Sequence, residues 1–189
     1  MLDLIIKNGS CYINKDLKDQ DIAIKDGKII EIGKIETEAK EIFNAKGLTV
    51  LPGCIDTQTH FREPGSTDTE DLHTGSRAAI VGGITSVFEM PNTNPPTSNK
   101  KEFQKKLNLA KNRMYCNYAF YFGATPDNAV ELADLKNLEG CCGIKLFAGS
   151  STGSLLVQYE EDIENVFKNS SKVVSVHSED EEILNMNKK

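Results

Sequence analysis

Four short stretches of this sequence carry side chains that could do chemistry together. The first is Asp56-Thr57-Gln58-Thr59-His60-Phe61-Arg62-Glu63-Pro64-Gly65 and the second Met90-Pro91-Asn92-Thr93-Asn94. The third is Gly143-Ile144-Lys145-Leu146-Phe147, and the fourth runs from Val174 through His177 to Glu179 and Asp180. Neutral imidazoles such as His60 and His177 suit zinc. A lysine buried in an apolar run, as Lys145 reads, loses its proton more readily than one in water, and the free amine can form an anionic carbamate with carbon dioxide. Metal ions held together lower the pKa of a water and polarise a carbonyl, which is the chemistry of metal-assisted hydrolysis. Arg62 presents a planar fork that matches a carboxylate, and Asn92 offers both a donor and an acceptor beside it. Each residue also has a plain reading. A lone His after a strand is commonly a hydrogen-bonded structural residue, Lys145 could lay its stem along apolar surface, and Arg62 could pair with Glu63 or Asp56. His73 reads as a surface residue.

Strands must bring these groups to one mouth. Over residues 2–33 apolar residues alternate, and Asp26-Gly27 between two period-two runs signals a type I′ hairpin. With a second turn at Asn8-Gly9, residues 1–46 read as a small antiparallel β-sheet domain. From Gly47 the pattern changes to strands alternating with helices. LTVLPGCID, ITSVFEM, YCNYAFYFG, CCGIKLFAG and KVVSVHSED read as strands. Between them lie a helix ending at Gly82-Gly83, one with Ser98 as N-cap and Phe103, Leu107 and Ala110 on one face, and others around residues 129–135 and 160–168. This order predicts a parallel sheet with ligands at the strands' C-terminal ends. The fold class is therefore α/β, an incomplete (β/α)8 barrel over residues 47–189. Five βα units fit the chain, whereas a closed barrel takes roughly 250 residues.

Composition narrows the class of partner. A formal net charge of −6, with lysines scattered along the 189 residues, argues against a surface for nucleic acid. The five cysteines are odd in number and contain no CxxC pair, so they read as reduced thiols. No stretch approaches the ~20 apolar residues that span a bilayer, and the N-terminus lacks a signal-peptide pattern. A cytoplasmic protein acting on a small molecule is the expectation.

The motifs, in this order and spacing, resemble the N-terminal part of class I dihydroorotases of the amidohydrolase superfamily. The run is Asp56-x-Gln58-x-His60 followed by F-R-E-P-G, then M-P-N-T, G-I-K-x-F-x-G-S-S-T-G and V-x-x-H-x-E-D. The resemblance implies one or two zinc ions held by His60, Lys145 and His177, with Lys145 N-carboxylated as a bridge. It implies that Arg62 and Asn92 seat the carboxylate of dihydroorotate. Allantoinases and hydantoinases, whose rings lack that carboxylate, do not carry Arg at this position. Gln58 stands where the family's first metal-binding His usually stands, and its carboxamide oxygen is a weaker zinc ligand than imidazole. The family's later His and its proton-shuttling Asp have no counterpart here, so no general acid-base residue is expected within this chain. The implied activity is dihydroorotase, in de novo pyrimidine synthesis, carried by a complete parent that forms a homo-oligomer. The alternatives are a non-catalytic subunit supporting aspartate transcarbamoylase, or an allantoinase- or hydantoinase-type enzyme.

Overall fold

A computed structural model of the chain describes every residue except Thr152 and Lys189. Thr152, part of the G-S-S-T-G run, thus lies outside the described residues. Contacts divide the chain into two compact units, Met1–Pro52 and Gly53–Lys189.

The first unit holds seven strands: β1 (Leu2–Lys7), β2 (Ser10–Ile13), β3 (Asp16–Asp19), β4 (Asp21–Lys25), β5 (Lys28–Gly33), β6 (Ala39–Asn44) and β7 (Thr49–Val50). They form a sheet ordered β5-β4-β1-β6 and another ordered β3-β2-β7. The Asp26-Gly27 hairpin is present, with φ of 52° and 71° at its two positions, as a type I′ turn requires. The expectation of one antiparallel sheet needs correcting. There are two sheets, and β1 with β6 and β2 with β7 pair in parallel. LTVLPGCID is likewise not one strand: Thr49–Val50 pairs with β2, and a new strand starts at Cys54. Pro52 has no N–H to give a ladder, which suits the break.

The second unit is built on β8 (Cys54–Thr59), β9 (Ile84–Glu89), β10 (Asn117–Gly123), β11 (Cys141–Phe147) and β12 (Val174–His177). All neighbours are parallel, in the order β12-β11-β10-β9-β8. Sequence order and spatial order coincide, which is half of a (β/α)8 barrel. The crossovers carry α1 (Leu72–Val81), α2 (Lys100–Ala110), a 3-10 helix at Ala129–Asn137 and α3 (Glu160–Asn169), and α4 (Glu181–Asn187) follows β12. Asp71 caps α1, Gly82 ends it, and Asn99 rather than Ser98 caps α2 by accepting from Glu102 N. The segment after β10 buries Ala129, Leu132 and Leu135, a spacing of three that fits the 3.0 residues per turn of a 3-10 helix. Between helices and sheet lies a core that includes Val87, Phe103, Phe120, Phe122, Leu132 and Ile144. No helix among the described residues is long and apolar enough to cross a membrane.

Candidate active site

Because the five strands run parallel, their C-terminal ends lie on one side, and each sequence motif sits at such an end. β8 carries a bulge: Asp56 pairs with Val87 and Thr59 with Glu89, so Thr57 and Gln58 oppose Phe88 alone. Bulges re-aim side chains next to functional sites. Beyond it, Met90 N donates to Thr59 O at 2.9 Å, tying the end of β9 to the residue before His60. The half-buried His60 then meets Asn92, its Nδ1 lying 2.9 Å from Asn92 Oδ1. An amide oxygen only accepts, so Nδ1 carries the proton and Nε2 keeps its lone pair. Desolvation lowers the His60 pKa, the Asn92 contact opposes that, and the positive charges of Arg62, Lys145 and Lys106 lower it further. A neutral imidazole is the form that binds a metal.

Arg62 is exposed, and among the described residues it makes no ion pair. Glu63, the partner a plain reading would give it, is buried and forked by Arg113 at 2.8 and 3.0 Å. Glu63 also accepts from Leu72 N at 2.9 Å, at the start of α1. The Glu63 carboxylate beside it raises the Arg113 pKa. The loop carrying Arg62 is thus anchored from behind while its guanidinium stays available. Asn94 N donates to Pro64 O at 2.9 Å, so the first and second motif loops are stitched together.

Lys145 on β11 is 1% exposed. Its ammonium has no hydrogen bond or salt bridge among the described residues and lies 4.9 Å over the Phe147 ring. Desolvation lowers its pKa. The reading of Lys145 as a surface-seeking side chain therefore does not hold. Phe147 pairs in register with His177, and their rings stack at 6.1 Å between centroids. His177 Nε2 lies 2.5 Å from Glu179 Oε2, which leaves Nδ1 free. Gln58 is exposed, and its side chain makes no hydrogen bond among the described residues. His73 is half-buried, its ring tilted against Tyr115 at 5.1 Å, just before the N-terminal end of β10 and not among the motifs at the C-terminal ends.

The sequence profile of the amidohydrolase family matches residues 49–181. The chain belongs to the amidohydrolase family. It is 38% identical to a dihydroorotase of Methanosarcina mazei over 97% of its own length and 41% of the relative's. It is 40% identical over 149 residues to an allantoinase of Escherichia coli, covering 78% of this chain and 33% of that protein. Among solved structures, the L-hydantoinase (dihydropyrimidinase) of Arthrobacter aurescens superposes with a TM-score of 0.89 at 29% identity, over 98% of this chain and 43% of that one. The chain therefore spans about 41% of the length of the dihydroorotase it matches.

Amidohydrolases are in general metal-dependent, and the donors here can be tested against that. Among the described residues no three His, Cys, Asp or Glu side chains gather into a metal site. Lys145, a buried amine with no counter-charge among the described residues, could add a donor to those of the two histidines. His60 and His177 each keep one ring nitrogen free, while Gln58 contributes no imidazole. Sequence reasoning missed two pairs beside the site, the half-buried pair of Glu63 with Arg113 and the fully buried pair of Glu89 with Lys106. The second had a visible signal. Lys106 lies on the stripe of Phe103 and Ala110, and Glu89 ends an apolar strand; either alone is out of place, but two opposite charges can satisfy each other.

Proposed function

We propose that this chain supplies part of an active site that hydrolyses a cyclic amide, and that the ring is L-dihydroorotate, opened reversibly to N-carbamoyl-L-aspartate in pyrimidine synthesis. The observation that carries the substrate is Arg62: it stands two residues beyond His60 with no ion-pair partner among the described residues, because Glu63 is taken by Arg113. An unpaired guanidinium at the mouth of a site fits a substrate carboxylate. Asn92, its Oδ1 engaged by His60, has its amide Nδ2 left to donate to the same carboxylate. Together they would orient the ring and hold its amide toward His60 and Lys145.

His60, Lys145 and His177 would hold one or two zinc ions, with Gln58 adding at most a weak oxygen donor. Bound there, the metal would supply Lewis acidity toward the amide carbonyl and a water of lowered pKa. Lys145 would serve as a carbamate, its neutral amine forming an N–C bond with carbon dioxide and giving up one proton. The likeness to an allantoinase favours a second reading, in which the ring is a ureide.

The test is zinc-supplemented hydrolysis of L-dihydroorotate, allantoin and dihydropyrimidine by the protein that carries this chain. Dihydroorotate should be preferred, and Arg62→Ala should lower kcat/KM for it by roughly 10- to 100-fold, the worth of a charge-assisted contact. Preference for allantoin, unaffected by Arg62→Ala, would replace the substrate. Metal binding without turnover of any ring would favour a non-catalytic role beside a partner such as aspartate transcarbamoylase.

A further inference from the structure

The buried pair formed by Glu89 at the end of β9 and Lys106 on α2 lies beneath the site and takes no part in the chemistry above. Both side chains are essentially inaccessible, and among the described residues Lys106 is the sole partner of the Glu89 carboxylate. Lys106 makes a further contact, donating at 3.0 Å to the carbonyl of Met90, itself fully buried. Met90 is the first residue of the Met90-Pro91-Asn92 turn. Its N–H already donates to Thr59 O, and Asn92 accepts from His60. Thr59, His60, Asn92, Pro91 and Met90 therefore close a ring of two chain segments and two hydrogen bonds, and Lys106 grips that ring at the Met90 carbonyl.

We propose that the Glu89–Lys106 pair positions the candidate site: Lys106 fixes the Met90 carbonyl, and so holds Asn92 where it sets the tautomer of His60. Glu89 keeps the Lys106 amine aimed at that carbonyl in a place that would otherwise expel it. An apolar pair would fill the same volume and pack against Phe120, over whose ring Lys106 Nζ now lies at 5.2 Å, but it could not hold a carbonyl. Positioning, rather than stability, is what the pair adds. The purpose of that position rests on the dihydroorotase reading, but the position itself does not.

The test is 15N NMR of the His60 imidazole in the 189-residue chain at pH ~8, where an ordinary histidine is neutral. The parent chain should show a single Nδ1-protonated tautomer, and Asn92→Ala should lose that signature. Glu89→Leu with Lys106→Met should lose it too, while its thermal midpoint stays within about 5 °C of the parent's, since an apolar pair can replace a buried ion pair without loss. A parent chain with His60 protonated on Nε2, or a double variant that keeps the single tautomer, overturns the proposal. So does a double variant that fails to fold, because the pair would then be a folding element. None of these readouts depends on which ring is hydrolysed.

Discussion

Glu89 and Lys106 bury two ionisable side chains against each other. Burial pushes the Glu89 carboxyl up to about 8 and lowers the Lys106 pKa, while each charge opposes the other's shift. Removing one partner leaves the other charge uncompensated, so Lys106→Met should cost about 3–5 kcal/mol in urea unfolding, with most of it recovered when Glu89→Leu is added. The sign with pH follows from the raised carboxyl. A carboxyl whose folded pKa exceeds its unfolded value disfavours folding progressively as pH rises from the unfolded value to the folded one, because over that range the unfolded state has released a proton the folded state keeps. With the lysine gone Glu89 should stay neutral to still higher pH, so its contribution to the Lys106→Met deficit should be level below about 8, where the carboxyl is neutral in both proteins, and should grow as pH rises above that. A deficit that fails to grow above about pH 8 would show that lost packing, not charge, is responsible. His60, Arg62, Asn92, Lys145 and His177 could be picked out from the sequence because their types and order are specific. Arg113 could not, since a charge in isolation reads as a solvated face until its partner, many residues away, is known, while Glu89 and Lys106 were visible only as charges out of place on apolar elements, their pairing set by the fold.

Elements carry the next level of control, through their ends. Asn99 accepts from Glu102 N at 2.9 Å and starts α2, the helix that delivers Lys106. Asn99→Ala should lower stability by about 1 kcal/mol, read from the shift of the denaturation midpoint at constant m. Asp71 starts α1 by accepting from Thr74 N at 2.7 Å, and the backbone bond from Thr74, then its hydroxyl, hold the carboxyl below the ordinary range. A depressed carboxyl stabilises the fold above its unfolded pKa and stops doing so as pH falls through its folded one. Asn caps a helix without titrating, so Asp71→Asn should leave the neutral midpoint nearly unchanged and flatten the fall in thermal midpoint below pH ~4. An acid limb as steep as the parent's would assign it to other carboxylates. Helix and hairpin ends were legible because capping and turn chemistry is local: Gly82 after α1 and Asp26-Gly27 behaved as their residues dictate. The helix over residues 129–135 was legible only as a helix. Its 3-10 form follows from burying every third residue against the core, which no local preference specifies.

At the scale of the whole molecule the decisive fact is an open sheet. Among the described residues β8 and β12 each have one neighbour, and Ile55, Val173 and Val176 near those edges are exposed. Unpaired edges with apolar side chains template association. The 189-residue chain alone should therefore self-associate with rising concentration in sedimentation velocity, and Val176→Lys should weaken that association; monomers at every concentration would mean that the edges are protected. Sequence by itself determined the alternation of strand and helix, the half-barrel, the motifs at strand ends and, through their order, the family. These follow from periodicity and residue type, which act within a few positions. Only the tertiary structure decided that Thr49–Val50 belongs with the first unit, that Arg113 takes Glu63 and leaves Arg62 unpaired among the described residues, and that Lys106 reaches Met90 beneath Asn92. The reason is physical: a buried charge or a lone strand is costly until it finds a complement, and that complement is chosen by three-dimensional proximity between segments that the sequence keeps apart.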